Sequence, residues 1–334
     1  FISYFVMKVL LLVAVLFCCV VSSQKISGGF SRVIYGSDGR TETFDLSSSD
    51  QNLGASVAVV IIGNNVVTDN GDGTFTATVT DTAEDFWGLC PNERFSEQPI
   101  MSNGFSFCSG FLLSTNPPWL GTAAHCTDAN DVSEYTVIFG FELTSASNTR
   151  LTFNANDVYS VNSIVLRGVP SGGEGDYGIF ELDRTVSGRT PYTSINNNLS
   201  FGDSLTLIGH PIGLPKKTDK GGVTQSADAD LIRGTVDSYG GNSGSPVFDA
   251  SGRLAGILVG GAPDFVTEDD CDVSNVCPGG TGCNALGESI VPICALATAN
   301  SQVSNQLNFN CDGSSFSSTS FSSTSFSSTS FSST

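Results

Sequence analysis

Short apolar runs separated by turn-forming residues most strongly constrain the fold of this 334-residue chain. The main runs are rich in Val, Ile, Thr and Phe, and they lie at residues 56–62, 75–79, 135–139, 163–166, 204–208, 246–248 and 254–259. They have the length of strands, and Gly, Asn, Asp and Pro lie between them. Helical periodicity is visible only at residues 295–307. The pattern predicts an all-β protein, a sandwich or barrels, with a short C-terminal helix.

Both ends of the chain differ in composition from the middle. Lys8 precedes an apolar stretch at residues 9–21, and small residues follow it, so residues 1–23 are predicted to be a secretory signal peptide. The alternative, a membrane anchor, is disfavoured because Lys8 interrupts a span that needs ~20 apolar residues. At the other end, a repeated Phe-Ser-Ser-Thr-Ser sequence is too polar to bury a core. Residues 314–334 are therefore predicted to be a disordered Ser/Thr-rich tail, either a glycosylated stalk or a linker to a further module.

The charge balance and the cysteines narrow the classes of function. With 14 basic and 33 acidic side chains the formal charge is −19, which argues against a nucleic-acid partner because such proteins need a basic face. The cysteines beyond residue 23 are even in number, which indicates disulfides in an exported chain. The gaps between Cys271, Cys277 and Cys283 fit no common zinc spacing. Neither a metal nor another cofactor is expected, and the predicted location is extracellular.

The chain has only two histidines, which leaves few choices for a catalytic base. His125 lies in the string Thr-Ala-Ala-His-Cys, and a nucleophilic serine needs such an imidazole within hydrogen-bond reach. Ser243 lies in Gly-Gly-Asn-Ser-Gly-Ser-Pro, where glycines allow a sharp turn that aims the amides of Gly241 and Ser243 at one oxyanion. Asp176, at the start of an alternating strand, is a candidate to orient the imidazole. The alternative for the serine string is an ordinary glycine-rich turn.

In the chain order His125, Asp176, Ser243, these strings resemble the chymotrypsin-like serine peptidases, whose triad follows the same order. Within that family the chain is most similar to the glutamyl-endopeptidase-like and microbial trypsin-like group, over approximately residues 33–299. The resemblance implies acyl transfer by a triad of these three residues. It also implies an oxyanion hole made by the amides of Gly241 and Ser243.

The resemblance also implies an architecture. A peptidase at residues 33–313 is expected to contain two six-stranded antiparallel β-barrels, at about 33–195 and 196–300, with the active site in the cleft between them. A disulfide between Cys108 and Cys126 is implied beside the catalytic histidine.

Four residues are predicted to bind the substrate side chain: Asp237, Leu258, Gly260 and Gly261. Asp237 stands six residues before Ser243, where trypsin-like members carry the acid that pairs with Arg or Lys, so a basic P1 residue is predicted. The alternative is that Asp237 points away from the pocket and hydrogen-bonds a loop. Leu258 occupies the position at which glutamyl endopeptidases carry a histidine, which argues against a strict glutamate preference. Gly260 and Gly261 leave the pocket entrance open.

Two features concern maturation. Arg32 and Val33 resemble a processing site, which implies a propeptide at residues 24–32. The residue before the nucleophile is Asn242, which lacks the charge that pairs with a freed N-terminus in digestive-type members. Zymogen control by that ion pair is therefore not expected.

The predicted function is a secreted serine endopeptidase that acts on protein or peptide substrates as a monomer without stable membrane insertion. One alternative is a glutamyl-type endopeptidase. Another is a non-catalytic adhesive or binding module carried on the Ser/Thr-rich tail. A lipase or esterase is disfavoured because the serine string lacks the Gly-x-Ser-x-Gly elbow.

Overall fold

Strands account for most of the regular structure in the computed structural model, which describes residues 33–311 without 64, 102–105, 130, 171–173 and 278–286. The predicted signal peptide (1–23), propeptide (24–32) and tail (314–334) lie outside the described residues. None of the described helices has both the length and the apolar character that a membrane span requires.

The strands are numbered in chain order: β1 (Ile34–Tyr35), β2 (Thr41–Glu42), β3 (Val57–Ile62), β4 (Val67–Asp69), β5 (Thr74–Ala77), β6 (Ser106–Thr115), β7 (Pro118–Thr122), β8 (Tyr135–Phe139), β9 (Leu143–Ser145), β10 (Asn148–Thr149), β11 (Thr152–Asn154), β12 (Val158–Arg167), β13 (Gly178–Leu182), β14 (Ser204–Gly209), β15 (Lys217–Ala227), β16 (Ile232–Gly234), β17 (Pro246–Asp249), β18 (Leu254–Gly260), β19 (Phe265–Glu268), β20 (Cys271–Ser274), β21 (Val276–Cys277) and β22 (Glu288–Pro292).

The helices are short. The α-helices are α1 (Ser48–Gly54), α2 (Ala83–Trp87), α3 (Ile293–Ala297) and α4 (Ser301–Leu307). The 3-10 helices are η1 (Thr43–Asp45), η2 (Ala124–Thr127), η3 (Val132–Glu134), η4 (Ala155–Asp157) and η5 (Pro211–Gly213).

Six antiparallel strands close into the first barrel in the order β12-β13-β7-β6-β3-β8. β3 reads Val-Ala-Val-Val-Ile-Ile, and β-branched residues suit a pleated, buried surface. Ala58 and Val60 point into one apolar cluster, whereas Val59 and Ile61 pack in a second cluster with residues of the β4–β5 hairpin. A strand covered on both faces carries a continuous apolar run, which explains why β3 does not alternate.

The second barrel contains β14, β17, β18, β22, β16 and β15, and pairing of β14 with β15 closes it. β2, from the N-terminal segment, adds to the outer side of β15. The prediction of an all-β protein with two six-stranded antiparallel barrels is confirmed. Strands of the first barrel lie between residues 57 and 182, and those of the second between 204 and 292.

The C-terminal helical pattern folds as two helices, α3 and α4, where one was expected. Asn300 interrupts the run because its side chain accepts the backbone N–H of Val303 at 2.9 Å, which caps α4. A disulfide between Cys294 and Cys311 joins the two ends of this helix pair. Leu296, within the pair, belongs to the apolar cluster that includes the first-barrel core.

Two further disulfides connect distant parts of the described chain. Cys90 pairs with Cys271 and ties the segment after α2 to β20. Cys108 pairs with Cys126 and ties β6 to η2, which is the pairing implied by the resemblance. Cys277 is disulfide-bonded as well.

Candidate functional site

His125 and Asp176 meet because two paired strands carry them. His125 lies in η2 directly after β7, and Asp176 lies just before β13, the antiparallel partner of β7. Asp176 Oδ2 is 2.7 Å from His125 Nδ1, and Asp176 Oδ1 accepts the backbone N–H of His125 at 3.0 Å. The Asp176 side chain is 2% exposed and that of His125 is 14% exposed. A buried carboxylate at Nδ1 holds the ring proton there and makes Nε2 the basic nitrogen.

Ser243 lies in the connection between β16 and β17 and is 4% exposed. Gly241 has φ 88°, a left-handed conformation that favours glycine. A Cβ at this position would lie 2.7 Å from the carbonyl oxygen of His210 and 2.9 Å from the backbone nitrogen of Ile212. The turn can therefore form at this distance from residues 210–212 only with glycine at position 241.

Asn242 stabilises the turn itself. Its backbone N–H donates to the carbonyl oxygen of Tyr239 at 3.1 Å, and its Nδ2 donates to Ser238 Oγ at 3.1 Å. An uncharged amide thus occupies the place where digestive-type members of the resembled family carry an aspartate.

Ser109, on β6 of the first barrel, holds the Ser243 turn directly. The amide of Ser109 donates to the carbonyl oxygen of Ser243 at 2.7 Å, and its hydroxyl donates to the carbonyl oxygen of Gly241 at 2.9 Å. The same hydroxyl accepts the backbone N–H of His210 at 2.9 Å. Ser109 is fully buried, so these bonds are made away from water. The barrel that carries His125 is therefore bonded to the loop that carries Ser243.

The Cys108–Cys126 disulfide lies at the same junction. Cys126 Sγ is 3.7 Å from the carbonyl oxygen of Ser243, and a ring nitrogen of His125 lies within 4.8 Å of both disulfide sulfurs. The structure brings His125, Asp176 and the Ser243 turn to one point between the barrels. Metal coordination by this cluster would require thiolates, and both cysteines are oxidised in the disulfide.

Asp237, a predicted substrate-binding residue, bonds to the N-terminal segment. Its Oδ1 accepts the backbone N–H of Tyr35 and its Oδ2 accepts that of Gly39, both at 2.7 Å. The residue is 4% exposed, and burial, with Asp219 as the next cause, raises the pKa of Asp237 to about 7. This placement matches the alternative expectation, in which Asp237 hydrogen-bonds a loop.

The second strand after the Ser243 turn, β18, carries Leu258 and Gly260, and Gly261 follows it directly. The carbonyl oxygen of Leu258 accepts the backbone N–H of Gly244 at 2.8 Å, which sets β18 beside the turn. The Leu258 side chain is fully buried and packs in an apolar cluster of the second barrel. Gly260 pairs with Ser289 on β22.

Glu288, at the start of β22, is a buried carboxylate that was not anticipated from the sequence. It is 0% exposed, and its Oε1 accepts the Tyr35 hydroxyl at 3.1 Å. A Cβ at Gly261 would collide with the Glu288 carboxylate, so the two residues are in direct contact. The sequence carries no signal for this burial, because charged residues are rarely fully buried.

His210, the second histidine, has a structural setting. It is fully buried, its ring stacks on Phe141 at 5.9 Å between centroids, and its Nδ1 lies 3.1 Å from the carbonyl oxygen of Leu214. Burial, followed by the nearby Lys216 charge, lowers its pKa to about 3. His210 is therefore neutral near neutral pH and belongs to the loop that packs on the Ser243 turn.

A comparison with known protein families matches the part of the chain that contains the candidate site. The sequence matches the trypsin-like peptidase domain family over residues 108–257, a range that includes His125, Asp176 and Ser243. The predicted resemblance to the chymotrypsin-like serine peptidases and their glutamyl-endopeptidase-like group is confirmed.

One curated relative is the glutamyl endopeptidase of Bacillus licheniformis, which is 25% identical over 156 residues. The match covers 45% of this chain and 48% of the relative, so the chain spans about half the length of the relative it matches.

Solved structures that match this chain include a Glu endopeptidase in complex with MPD and the VesB protease of Vibrio cholerae. The first is 18% identical, with 68% of this chain and 87% of the other covered at a TM-score of 0.42. The second is 15% identical, with 82% and 68% covered at a TM-score of 0.47.

Proposed function

We propose that this protein is a secreted serine endopeptidase that hydrolyses peptide bonds through His125, Asp176 and Ser243. The observation that carries the proposal is the 2.7 Å contact between Asp176 Oδ2 and His125 Nδ1, beside the Ser243 turn. A buried aspartate that orients an imidazole next to a serine is the arrangement that acyl transfer requires. The family match over residues 108–257 supports the same chemistry.

The proposed reaction has two halves. In the first, Ser243 Oγ attacks the peptide carbonyl carbon, His125 Nε2 takes the hydroxyl proton, and Asp176 stabilises the imidazolium. The imidazolium then gives its proton to the leaving amine as the C–N bond breaks, which leaves an ester on Ser243. In the second half a water molecule attacks the ester with His125 as base, and the acid product and the free Ser243 hydroxyl are released.

The amides of Gly241 and Ser243 are proposed to bind the oxyanion. Neighbouring amides all donate to protein acceptors, namely those of Gly240, Asn242, Gly244 and Ser245. Among the described residues, the amide of Gly241 has no such acceptor, which supports its role as a donor to substrate.

Arginine or lysine is the proposed P1 residue. One buried carboxylate supports this preference: Glu288, which contacts Gly261. Buried negative charge attracts a cationic side chain and repels a glutamate. The glutamyl-type alternative requires a polar partner for the substrate carboxylate, and Leu258 is buried at the position where that group carries its histidine.

Covalent labelling tests the peptidase proposal. Purified protein is treated with a fluorescent organophosphonate, and the labelled peptide is sequenced. We expect the label on Ser243, and we expect Ser243→Ala and His125→Ala to lose both label and peptide hydrolysis. Ser251→Ala, at an exposed turn serine, is the matched control and should keep both. A wild-type protein that stays unlabelled and hydrolyses no peptide would show that the domain is a binding module.

Specificity and maturation have separate tests. A peptide library should show cleavage after Arg and Lys, and Glu288→Gln should reduce that cleavage more than cleavage after apolar residues. Preferred cleavage after Glu would establish the glutamyl alternative. N-terminal sequencing of secreted, active protein should begin at Val33, whereas a start at Gln24 with full activity would refute processing after Arg32.

A further inference from the structure

A strained residue lies beside the Ser243 turn. Ile212, in η5, has φ 48° and ψ 26°, which is the left-handed region. β-Branched residues rarely adopt this conformation, and such strain persists only where surrounding contacts over-determine it.

Three contacts hold Ile212 in place. Its backbone N–H donates to the carbonyl oxygen of Gly240, and its carbonyl oxygen accepts Trp87 Nε1–H at 3.0 Å. Its side chain is buried in an apolar cluster that includes Tyr239. The indole N–H of Trp87 is thus the only side-chain donor, among the described residues, that reaches the Ile212 carbonyl.

Trp87 itself is firmly placed. It is the last residue of α2, whose first turn is capped by Thr82, and Cys90 ties the following residues to Cys271. Trp87 therefore reaches the loop at residues 210–213 from an element that is anchored on both sides.

The bond from Ile212 acts on the peptide that joins Gly240 to Gly241. In a trans peptide the N–H points opposite to the C=O, so a partner that fixes the Gly240 carbonyl also fixes the Gly241 N–H on the other side. Glycine residues give this segment little conformational restraint of their own. The orientation of the Gly241 donor must therefore come from its hydrogen-bond partners.

We propose that Ile212 and Trp87 are positioning residues for the oxyanion hole. Trp87 holds the strained Ile212, and Ile212 holds the peptide whose N–H faces the oxyanion. This inference rests on the proposed function, because it assigns a role in that reaction. Neither residue touches substrate; both act through the Gly240–Gly241 peptide.

The test removes the indole N–H of Trp87 and keeps an aromatic side chain at position 87. Trp87→Phe deletes the donor to Ile212, and Trp119→Phe, at the only other tryptophan, is the matched control on β7. We expect Trp87→Phe to lower kcat roughly tenfold, because loss of a whole oxyanion donor costs ~10²–10³-fold and here the donor is only misaligned. KM should stay unchanged. The affinity for a peptide aldehyde, whose tetrahedral adduct carries the oxyanion, should fall by the same factor as kcat.

A purely structural role for Trp87 predicts a different result. In that case both tryptophan variants would have a lower thermal midpoint. The folded Trp87→Phe enzyme would then have the same kcat and the same affinity for the aldehyde as Trp119→Phe, and this result would overturn the proposal. If Trp87→Phe does not fold, benzothienylalanine at position 87 keeps the ring shape without the N–H, and the same expectations apply. A wild-type enzyme without organophosphonate labelling at Ser243 would instead refute the proposed function.

Discussion

Replacement of Asp237 by asparagine should remove a pH dependence from the free energy of unfolding. In the folded protein burial and Asp219 raise the pKa of Asp237 from 3.8 to about 7. Between these values the folded state binds more protons than the unfolded state, so stability falls as pH rises. A difference of about three pKa units at about 1.4 kcal/mol per unit corresponds to about 4 kcal/mol over the whole range.

The part of this effect between pH 5 and pH 8 can be measured. With these two pKa values, proton linkage predicts that the contribution of Asp237 to the free energy of unfolding of the wild type falls by about 2.5 kcal/mol from pH 5 to pH 8. Asp237→Asn has no carboxyl to titrate, and its lost acceptor for the Tyr35 or Gly39 amide lowers stability by a constant amount. The difference in unfolding free energy between wild type and variant should therefore shrink by about 2.5 kcal/mol from pH 5 to pH 8.

Urea denaturation at several pH values provides the measurement. Subtracting the free energies of unfolding of the two proteins cancels the contribution of other groups that titrate in both, such as His210. Asp270→Asn, at an exposed turn, is the matched removal of one carboxylate. A difference between wild type and Asp237→Asn that stays constant from pH 5 to pH 8 would mean that the buried carboxyl is not protonated in the folded protein, and the reasoning would be refuted.

Three further predictions concern other groups. Asp176→Asn should reduce kcat by about 10⁴-fold, because asparagine favours the tautomer of His125 that lacks a proton on Nδ1. A loss of less than tenfold in a steady-state assay would contradict the proposed triad. The pKa of His210 is lowered from 6.5 to about 3, so the unfolded state binds more protons and the free energy of unfolding should fall by about 4 kcal/mol from pH 6.5 to pH 3. His210→Phe should flatten that part of the urea-denaturation profile relative to wild type, and an unchanged slope would argue against a neutral buried imidazole. Lys217→Met should lower the free energy of unfolding by ~3–5 kcal/mol, because it leaves the buried Glu42 without its cation. In the same urea-denaturation assay, Lys220→Met at the surface should lower it by ~1 kcal/mol or less.

The parts of the fold that sequence predicts best are those with strong local signals. The run at β3 and the C-terminal helical pattern both form regular structure near the expected positions. By contrast β1 and β2, with two residues each, exist only because they pair with β21 and β15. Such strands carry no local pattern, since tertiary pairing alone defines them.

The candidate site divides in the same way. Short strings in which each residue type has a chemical purpose predict the candidate residues His125, Asp176 and Ser243. The sequence does not determine the role of Asp237, because it does not reveal that the amides of Tyr35 and Gly39 lie against its carboxylate. The contribution of distant residues to a site is set by packing, which a linear pattern does not encode.

No sequence pattern predicts the role of Ser109, which follows only from its tertiary contacts. It sits in an ordinary strand string, and nothing around it marks a residue that contacts Ser243, Gly241 and His210 together. Ile212 is missed for a related reason, since a left-handed isoleucine follows from the contacts around it.

The bonds from Ser109 to the Ser243 turn make the two halves of the molecule interdependent. Separation of the barrels would break the 2.7 Å amide bond from Ser109 to the Ser243 carbonyl. A partly opened chain would therefore lose the proposed peptidase activity while it keeps most of its secondary structure. Under the proposed function, such coupling would limit self-digestion, because molecules open enough to be cleaved would no longer cleave others.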